Sequence, residues 1–272
     1  MSKIRIGVVG CAGRMGQALI RQILMTEGCV FSGGTERTGA DSLGKPIINP
    51  LTGEPTGLVV GDDAKALLSA SDAVLDFTTP MASLHHAQLA AALGVAHIVG
   101  TTGLAAEHHS ALDGAAQHTV IVQSANMSLG VNLLAQLSRQ VAAILDEDFD
   151  IEILEMHHRH KVDAPSGTAL ALGEAVAEGR GVDLGSVCDR VRDGLTGPRL
   201  RGHIGFATLR GGNVVGDHTV IFAADDERIE LTHKAGDRSI FARGAVKAAL
   251  WAQGKKPGRY TMADVLGFSP KA

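Results

Sequence analysis

Hydrophobic and polar residues alternate along the first half of the chain in a pattern that predicts strands and helices in turn. KIRIGVVG is a short β-branched run, which is typical of a buried strand. RMGQALIRQILMTEG predicts a helix, because its apolar residues Met15, Leu19, Ile23 and Leu24 recur at helical spacing before Gly28. CVFSGGTE, AVLDFTTP, AHIVGTTG and TVIVQSANMS predict strands, with a helix at MASLHHAQLAAALG. This alternation predicts parallel pairing with right-handed crossovers.

The pattern changes after Asn126. SLGVNLLAQLSRQVAAILDED predicts one long helix, FDIEILEMHH a strand and PSGTALALGEAVAEGRG a second helix. GHIGFATLR, NVVGDHTVIFAA and ERIELTHKA predict strands, and the GGN and ADD turns between them favour antiparallel pairing. SIFARGAVKAALWAQG predicts a last helix before the tail KKPGRYTMADVLGF. The apolar positions assigned to the long helix are Leu129, Leu133, Leu137, Val141 and Ile144.

Together these elements predict an α/β protein of two domains, which suits a chain of 272 residues. We expect a Rossmann-type domain with a parallel sheet over residues 1–127. An α+β domain with a mixed open sheet is expected over residues 128–239. The C-terminal helical segment, 240–272, is expected to return to the first domain.

Composition and charge narrow the classes of function. The net charge of −4 argues against a general surface for nucleic acid or anionic membranes. An aromatic content of 3% leaves few side chains for stacking on single-stranded nucleic acid. The 3 cysteines are far apart, which is typical of reduced thiols in a cytosolic protein. The chain starts with a strand and contains no long apolar run, so we expect a cytoplasmic protein that does not enter a membrane.

A glycine loop follows the first predicted strand. GVVGCAGRMG places Gly10, Gly13 and Gly16 between that strand and a helix, with Ala12 where dinucleotide fingerprints have their second glycine. Glycines at such a turn allow the backbone to approach a pyrophosphate, and the helix N-terminus offers free N–H groups. The motif alone is weak and also fits a plain strand–helix turn, but its position favours a dinucleotide site.

The residues after the second strand bear on the choice of cofactor. Glu36 lies at the spacing expected for an acid that accepts hydrogen bonds from the adenosine ribose, which favours NAD. Arg37 and Arg14 could instead meet the 2′-phosphate of NADP. The pair Glu36–Arg37 therefore predicts weak discrimination between NADH and NADPH, unless both are only solvated charges at a strand end.

Three interpretations compete for the segment EMHHRHKVDAPSGT. It could be a polar, solvated strand end, or a metal site with ligands from His157, His158, His160 and Asp163. Adjacent residues of an extended segment point to opposite faces, so His157 and His158 are poorly placed to share one ion. The neighbouring cations Arg159 and Lys161 would also repel a metal.

The third interpretation is a catalytic site that binds an anion. Histidine can exchange a proton near neutral pH, and Lys161 can donate a proton or hold a carboxylate. Gly167 and Thr168 lie where a helix begins and can present N–H groups to a second carboxylate. With a hydride donor in the other domain, such a site suits a small dicarboxylate with a reducible C=C or C=N bond.

These motifs resemble the dihydrodipicolinate reductases, also called 4-hydroxy-tetrahydrodipicolinate reductases, of lysine and diaminopimelate biosynthesis. The resemblance covers nearly the whole chain and includes GCAGRMG, DFTTP, GTTG, SANMSLGVN, EMHHRHKVDAPSGTA, IGFATLRGGNVVGDHTV and PGRYTMADVLG. It implies an oxidoreductase that uses NADH or NADPH to form tetrahydrodipicolinate. It also implies that the second domain binds substrate and forms a homotetramer through its sheet.

The resemblance assigns a role to each matching residue. It implies that His157 is a proton donor and acceptor, that Lys161 is a proton donor, and that His158, Gly167 and Thr168 bind the substrate carboxylates. The cofactor contacts that it implies are Gly10, Cys11, Ala12, Gly13, Arg14, Met15, Glu36, Arg37, Gly100, Thr101, Thr102, Ser124, Ala125, Asn126 and Met127. It assigns no resident metal.

The remaining histidines carry no predicted chemistry. We expect His85, His86, His108, His109 and His118 to be solvated on helix surfaces or turns. The histidines of the later strands, namely His203, His218 and His233, are expected to serve structure or a subunit contact.

Two other functions remain open at this level. One is a different dehydrogenase, of the aspartate-semialdehyde or homoserine type. The former would need a catalytic cysteine, and Cys11, Cys29 and Cys188 are poorly placed for that role. A nucleotide-sensing regulator would not need the intact set of His157, Lys161 and Gly167–Thr168.

Overall fold

The computed structural model describes residues 3–268, which form two compact units. The first unit runs up to Leu129 and includes the C-terminal segment from Ser239, and the second is Gly130–Arg238. The outer ends of the predicted domains, residues 1–2 and 269–272, lie outside the described residues. Among the described helices, none is both long and apolar enough to cross a membrane.

The secondary structure consists of short strands and helices in alternation. The strands are β1 (Ile4–Val9), β2 (Cys29–Thr35), β3 (Pro46–Ile48), β4 (Pro55–Gly61), β5 (Ala73–Asp76), β6 (Ala96–Val99), β7 (Val120–Gln123), β8 (Asp150–His157), β9 (Cys188–Asp189), β10 (Ile204–Arg210), β11 (Asp217–Ala223), β12 (Arg228–Lys234) and β13 (Gly258–Tyr260). The helices are α1 (Arg14–Met25), α2 (Ala64–Ser69), α3 (Pro80–Leu93), α4 (Ala106–Ala116), α5 (Leu129–Ile144), α6 (Gly167–Arg180), α7 (Leu184–Val187), α8 (Ser239–Ala252) and α9 (Met262–Leu266).

The first unit is built on an eight-stranded sheet in the order β13-β7-β6-β5-β1-β2-β4-β3. All of its neighbouring strands pair in parallel except β3 and β4. Strands β5 and β6 are buried at every position, as expected for strands with both faces covered. The sheet confirms the predicted Rossmann-type α/β fold. Because β1, β5 and β6 are parallel neighbours, their carboxyl ends lie side by side.

Helix α1 buries a slightly different face from the one predicted. Leu19 and Ile23 are fully buried as expected, but their partner is Ile20, while Leu24 is 36% exposed. In a helix of 3.6 residues per turn, positions 16, 19, 20 and 23 form one stripe, and position 24 lies at its margin. The stripe packs into the core of the first unit together with α8.

The second unit is built on a five-stranded mixed sheet in the order β12-β11-β8-β10-β9. Its central strand β8 alternates between buried and half-buried residues. Ile151 and Ile153 point into a core that also contains Leu172 of α6 and Leu134 of α5. The predicted mixed open sheet is therefore confirmed.

The predicted antiparallel pairing of the later strands is only partly right. Strands β11 and β12 form the expected hairpin. Strand β10, however, pairs in parallel with β8, and β11 pairs with the other edge of β8. The GGN segment therefore crosses over β8 instead of closing a hairpin, because β8, which precedes both strands in the chain, takes the central position.

The apolar stripe predicted for the long helix is not its buried face. Residues Val131, Leu134, Ser138 and Ala142 of α5 are buried. By contrast, Leu133, Leu137 and Ile144 are 41%, 37% and 81% exposed. The helix is apolar on more than one side, so hydrophobic spacing alone could not identify the side that faces this core.

Several segments contain structure that the pattern did not predict, among them the tail and the region between Arg37 and Ala73. The tail supplies β13, which pairs in parallel with β7, and helix α9. The region between Arg37 and Ala73 supplies β3, β4 and α2. These elements are short, and their apolar residues are too few for a period to be recognised.

The C-terminal helix α8 approaches the loop after β7 closely at Gly244. A Cβ atom at this position would lie 1.7 Å from the carbonyl oxygen of Met127. We expect Gly244→Ala to lower the free energy of unfolding by at least about 1–3 kcal/mol, because the backbone has to shift to accept the methyl group. Denaturant unfolding of the purified variant measures this loss.

Gly114 in α4 provides the matched control. A Cβ atom there would have no neighbour within 4 Å. Gly114→Ala is expected to leave stability unchanged or to raise it by up to about 1 kcal/mol, because alanine is the better helix former. Equal stability of Gly244→Ala and the wild type would contradict this packing of α8.

Candidate functional site

The glycine loop in the first unit forms the turn that its sequence predicts. Gly10 adopts a left-handed conformation with φ +71°. Gly16 lies so close to the loop that a Cβ atom would be 2.2 Å from the Gly10 carbonyl oxygen. Gly13 caps helix α1 without a side-chain hydrogen bond, and the first turn contains no acidic residue. The helix N-terminus is therefore suited to bind a phosphate group.

Glu36 lies beside this loop, where β2 ends. Its Oε1 atom accepts a hydrogen bond from the Ala12 amide at 2.9 Å. Glu36 and the exposed Arg37 line a cavity of about 900 Å³ together with Gly10 and Gly13. An acid and a cation thus face one cavity, and Arg14 is exposed in the loop itself.

Cys11 in the same loop has no exposed thiol for chemistry. It is 1% exposed. Burial, together with the negative charge of Glu36, raises the pKa of this thiol to about 11. A neutral, buried thiol is a poor nucleophile, which agrees with its assignment to the turn and not to a catalytic step.

The other predicted cofactor segments follow neighbouring strands of the same sheet. Residues 100–102 follow β6, and residues 124–127 follow β7. Thr101 is buried, whereas Thr102 and Ala125 are exposed. Ser124 Oγ donates to the Asn126 carbonyl oxygen at 2.7 Å, which tightens the second turn. Carboxyl ends of adjacent parallel strands are where ligands bind in such sheets.

Met15 and Met127 are less accessible than the other predicted contacts. Met15 packs partly buried against the core of the first unit, and Met127 is 1% exposed within it. Their side chains therefore pack in the core beneath the loops and expose little surface to a ligand.

Sequence reasoning gave no role to several residues that line the cavity. These are Phe77, Thr78 and Thr79 after β5, Lys65 of α2, and His85 and His86 of α3. His85 is exposed, as expected, whereas the expectation of a solvated His86 is wrong, because its Nδ1 lies 2.8 Å from the buried Asp76 carboxylate. The carboxyl end of β5 lies beside that of β1. The position of the DFTTP motif at the end of a predicted parallel strand could therefore have assigned it to this cavity.

In the second unit, the histidine segment is organised by Glu155. One face of strand β8 is buried. This face is apolar at Ile151 and Ile153 and polar at Glu155 and His157, near the carboxyl end of the strand. Glu155 is 1% exposed. Arg210, on the paired strand β10, donates to both of its oxygens at 2.8 and 3.0 Å. Neither residue is predicted from the sequence, although the period of two in β8 puts Glu155 on the same face as His157.

Hydrogen bonds keep the Glu155 carboxylate ionised. Burial alone would raise its pKa, but hydrogen bonds from Arg210 and then from His157 hold the pKa below its usual value. An ionised carboxylate can only accept, so the His157 Nδ1 atom, 2.6 Å from Oε2, carries the proton. The other ring nitrogen, Nε2, is then the one that can exchange a proton with a ligand.

His218 of β11 packs against His157 with a ring-centroid distance of 5.1 Å and an edge-on angle of 77°. Its Nε2 lies 3.2 Å from Ser166 Oγ. Burial, followed by the charge of His157, lowers the pKa of His218 to about 4. His218 is therefore neutral near pH 7, and it is 3% exposed, in line with the predicted structural role.

Glu155 also holds the start of helix α6. Its Oε1 atom accepts from the Ser166 amide at 3.0 Å, and Ser166 Oγ caps the helix by accepting from the Ala169 amide. A Cβ atom at Gly167 would meet nothing within 4 Å, and the first turn contains no acidic residue. The N-terminus of α6, with Gly167 and the half-buried Thr168, therefore offers an accessible place for an anion.

Lys161 lies in the loop between β8 and α6. Its Nζ atom donates to both carboxylate oxygens of Asp163 at 2.8 and 2.9 Å. This bond lowers the pKa of Asp163. Arg210 donates to the Asp163 carbonyl oxygen at 2.7 Å, so the loop is tied to the same guanidinium that binds Glu155.

His158 and His160 project from the same segment with ring centroids 6.3 Å apart. His158 is half-buried, and its Nδ1 atom is buried without a hydrogen-bond partner among the described residues. Within residues 3–268, three side chains that could share a metal ion are Asp76, His86 and His97, and the 157–160 histidines do not form such a group.

Comparison with known proteins identifies the family. A family model described as "Dihydrodipicolinate reductase, N-terminus" matches residues 4–127, and the corresponding C-terminal model matches residues 130–266. Proteins named 4-hydroxy-tetrahydrodipicolinate reductase are similar over almost the whole chain. The one from Ruegeria pomeroyi is 56% identical over 263 residues, which cover 97% of this chain and 98% of the relative. The one from Parvibaculum lavamentivorans is 58% identical over 267 residues and covers the same shares.

Solved structures agree with the fold. The dipicolinate-bound dihydrodipicolinate reductase from Paenisporosarcina sp. superposes with a TM-score of 0.78 at 22% identity, covering 96% of this chain and 98% of that chain. An aspartate semialdehyde dehydrogenase from Vibrio cholerae reaches 0.55 at 12% identity, covering 94% of this chain and 100% of that chain, which is a likeness of fold alone. Because the two family models span nearly all of the sequence and the curated relatives are more than half identical to it, the chain belongs to the dihydrodipicolinate reductase family.

Proposed function

We propose that this chain uses NADH or NADPH to reduce 4-hydroxy-tetrahydrodipicolinate (dihydrodipicolinate) to tetrahydrodipicolinate in diaminopimelate and lysine biosynthesis. The observation that carries the proposal is the arrangement around Glu155, whose carboxylate binds both the His157 ring and the Ser166 amide at the start of helix α6. The names of relatives that are more than half identical over nearly the whole chain support the same reaction.

The first unit fits a dinucleotide cofactor. Gly16 allows α1 to approach the loop, and the uncapped amides of α1 suit a pyrophosphate bound along Gly10–Met15. We assign Glu36 to the ribose hydroxyls, because a carboxylate can accept their hydrogen bonds, and Arg37 to a 2′-phosphate. The turns at 100–102 and 124–127 complete the proposed contacts. When bound, the nicotinamide supplies the hydride.

The second unit supplies groups for a dicarboxylate. We assign one substrate carboxylate to the amides of Gly167 and Thr168, where the dipole of α6 favours negative charge. His158 is assigned to the substrate carboxylates as well. The open space at Gly167 leaves the helix end accessible.

His157 and Lys161 are the proposed proton donors. Addition of a hydride to the ring double bond leaves negative charge that an acid has to neutralise. His157 can deliver a proton from Nε2, because its Nδ1–H bond is fixed on Glu155. Lys161 is held by Asp163, which limits the volume that its ammonium group explores.

Assembly and location are part of the proposal. We propose a cytoplasmic homotetramer formed through the sheet of the second unit, as in the family that the motifs resemble. Leu209 on that sheet is 48% exposed and would be available for a subunit contact.

Turnover should be measured by the absorbance of the reduced nicotinamide, with substrate generated in situ from pyruvate and aspartate semialdehyde by a coupling synthase. We expect oxidation of NADH or NADPH, and the ratio of the two rates measures how Glu36 and Arg37 discriminate. Lys161→Ala is expected to lower kcat by at least about 100-fold, because a positioned acid is lost. Titration of the variant with NADPH should still give the wild-type Kd.

Lys247→Ala, which removes an exposed lysine of α8, is the control and should retain wild-type turnover. Absence of oxidation with either cofactor, despite measurable binding of one of them, would reject the reductase and favour a nucleotide sensor.

His218 predicts how stability depends on pH. Its pKa is about 4 in the folded protein against an ordinary value of 6.5, so below pH 6.5 the unfolded chain binds a proton that the folded chain does not. The contribution of the neutral, buried His218 to folding stability is therefore fully present above pH 6.5, and it is lost as the pH falls toward 4. We expect about 2 kcal/mol of loss from this residue between pH 7 and pH 5.

Denaturant unfolding at a series of pH values measures the effect. His218→Gln should reduce the slope of stability against pH in this range, whereas His118→Gln, at an exposed position, should leave it unchanged. An unchanged slope in His218→Gln would show that the burial of His218 does not have this cost.

A further inference from the structure

Asp76 is a fully buried carboxylate at the carboxyl end of β5 in the first unit. Its Oδ2 atom lies 2.8 Å from His86 Nδ1 and 3.0 Å from His97 Nε2. Its Oδ1 atom accepts from the amide and the hydroxyl of Thr78 at 3.0 and 2.6 Å, and from the Thr101 hydroxyl at 3.4 Å. Five donors therefore converge on one side chain.

The hydrogen bonds keep Asp76 ionised. Burial would raise its pKa, but the bonds to His86 and His97 hold the pKa well below the usual range. Both histidines therefore donate, and His97 does so from a position with no exposed surface. The other nitrogen of His97, Nδ1, has no hydrogen-bond partner among the described residues. Asp76 is thus the polar group to which His97 is bound.

The Thr78 side of Asp76 supports the wall of the cavity. A Cβ atom at Gly10 would lie 3.0 Å from the Thr78 methyl group, so Thr78 packs against the glycine loop. The neighbouring Phe77 ring packs against Gly100, where a Cβ atom would come within 2.2 Å of it. Phe77 and Thr78 line the same cavity as Gly10, Gly13 and the Glu36–Arg37 pair.

The Thr101 side connects a second loop and a helix. Thr101 follows β6 and lies 2.7 Å, hydroxyl to hydroxyl, from Ser83 of α3. His86 belongs to the same helix, and His97 to β6 itself. One carboxylate therefore connects the loop after β5, helix α3, strand β6 and the loop after β6.

We propose that Asp76 is a positioning residue of the cofactor site, which fixes the loops 77–79 and 100–102 through Thr78 and Thr101. This inference rests on the proposed function, in that the ligand of the cavity is taken to be NADH or NADPH. Loops held in place before the cofactor arrives need not be ordered when it binds, so affinity is higher. The cluster could also be taken for a metal site, because its ligand atoms lie within 4.8 Å of one another, but separations of 2.8 and 3.0 Å are those of hydrogen bonds.

Asp76→Asn converts one acceptor oxygen into a donor. Either the two histidines or the Thr78 turn then loses its partner. We expect the Kd for NADPH, measured by fluorescence titration, to rise by about 10-fold or more, since a buried hydrogen bond to a charged group is lost. The KM for the cofactor should rise more than kcat falls, because Asp76 touches no reacting atom.

His97 allows a test that does not remove the carboxylate. It does not line the cavity, so it can influence the cofactor only through its neighbours. His97→Leu removes the donor, whereas His97→Gln can place an amide N–H close to the position of Nε2. We expect weaker NADPH binding for His97→Leu and recovery toward the wild-type Kd for His97→Gln. These two variants decide the question even if Asp76→Asn fails to fold.

Thr119→Val is the matched control for a general loss of stability. It removes another buried hydrogen bond of the first unit, in which Thr119 Oγ1 donates to the Val95 carbonyl oxygen at 2.7 Å. The variant should melt at a lower temperature and still bind NADPH with the wild-type Kd.

Three results would overturn the inference: wild-type Kd values in Asp76→Asn and His97→Leu, an equal loss of affinity in Thr119→Val, or a stoichiometric metal ion in the purified protein. Failure of the wild type to bind either NADH or NADPH would instead contradict the proposed function, and this inference with it.

Discussion

The arrangement of the second unit depends on the burial of one ionised carboxylate. Glu155 lies in the core side of β8, and a charge in that position is stable only if donors surround it. Arg210 supplies the compensating charge, while His157, the Ser166 amide and the Thr208 hydroxyl supply further hydrogen bonds. Because the buried charge needs these donors, it also fixes their positions. The histidine is fixed in one tautomer, and helix α6 begins beside the same cluster, because the Ser166 amide binds Glu155.

The first unit uses the same device at a different place. Strand β5 is buried throughout and ends in Asp76, just as the buried face of β8 becomes polar at Glu155 and His157. In both units the acid lies near the carboxyl end of a central strand, and most of its donors come from the loops and elements that follow. A buried acid on a rigid strand therefore holds loop residues in fixed positions through its hydrogen bonds. This suits a reductase, whose cofactor and substrate both have to be held in defined orientations.

The sequence predicted the parts of the molecule whose signals are local. The strand–glycine–helix unit at Gly10–Gly16 and the helix start at Gly167 follow from short motifs, and the resemblance to the family followed from longer ones. The pairing of β10 with β8 was missed, since the order of strands in a sheet depends on contacts between distant segments. The buried face of α5 was assigned to the wrong side because the helix is apolar on more than one side. The sequence predicts a solvated His86, and this is wrong because nothing near His86 in the sequence reveals Asp76, its partner in space.

The role of Glu155 is tested most directly by replacing it and, in a second variant, Glu152 on the opposite face of β8. Glu152 also binds arginines, but it points away from His157, so Glu152→Gln is a control of equal chemistry on the same strand. Glu155→Gln is expected to lower kcat by about 100-fold or more while the Kd for NADPH stays unchanged, because the histidine loses the carboxylate that orients it. Glu152→Gln should retain wild-type kcat. Wild-type turnover in Glu155→Gln, or an equal loss of turnover in both variants, would contradict the claim that Glu155 organises the site.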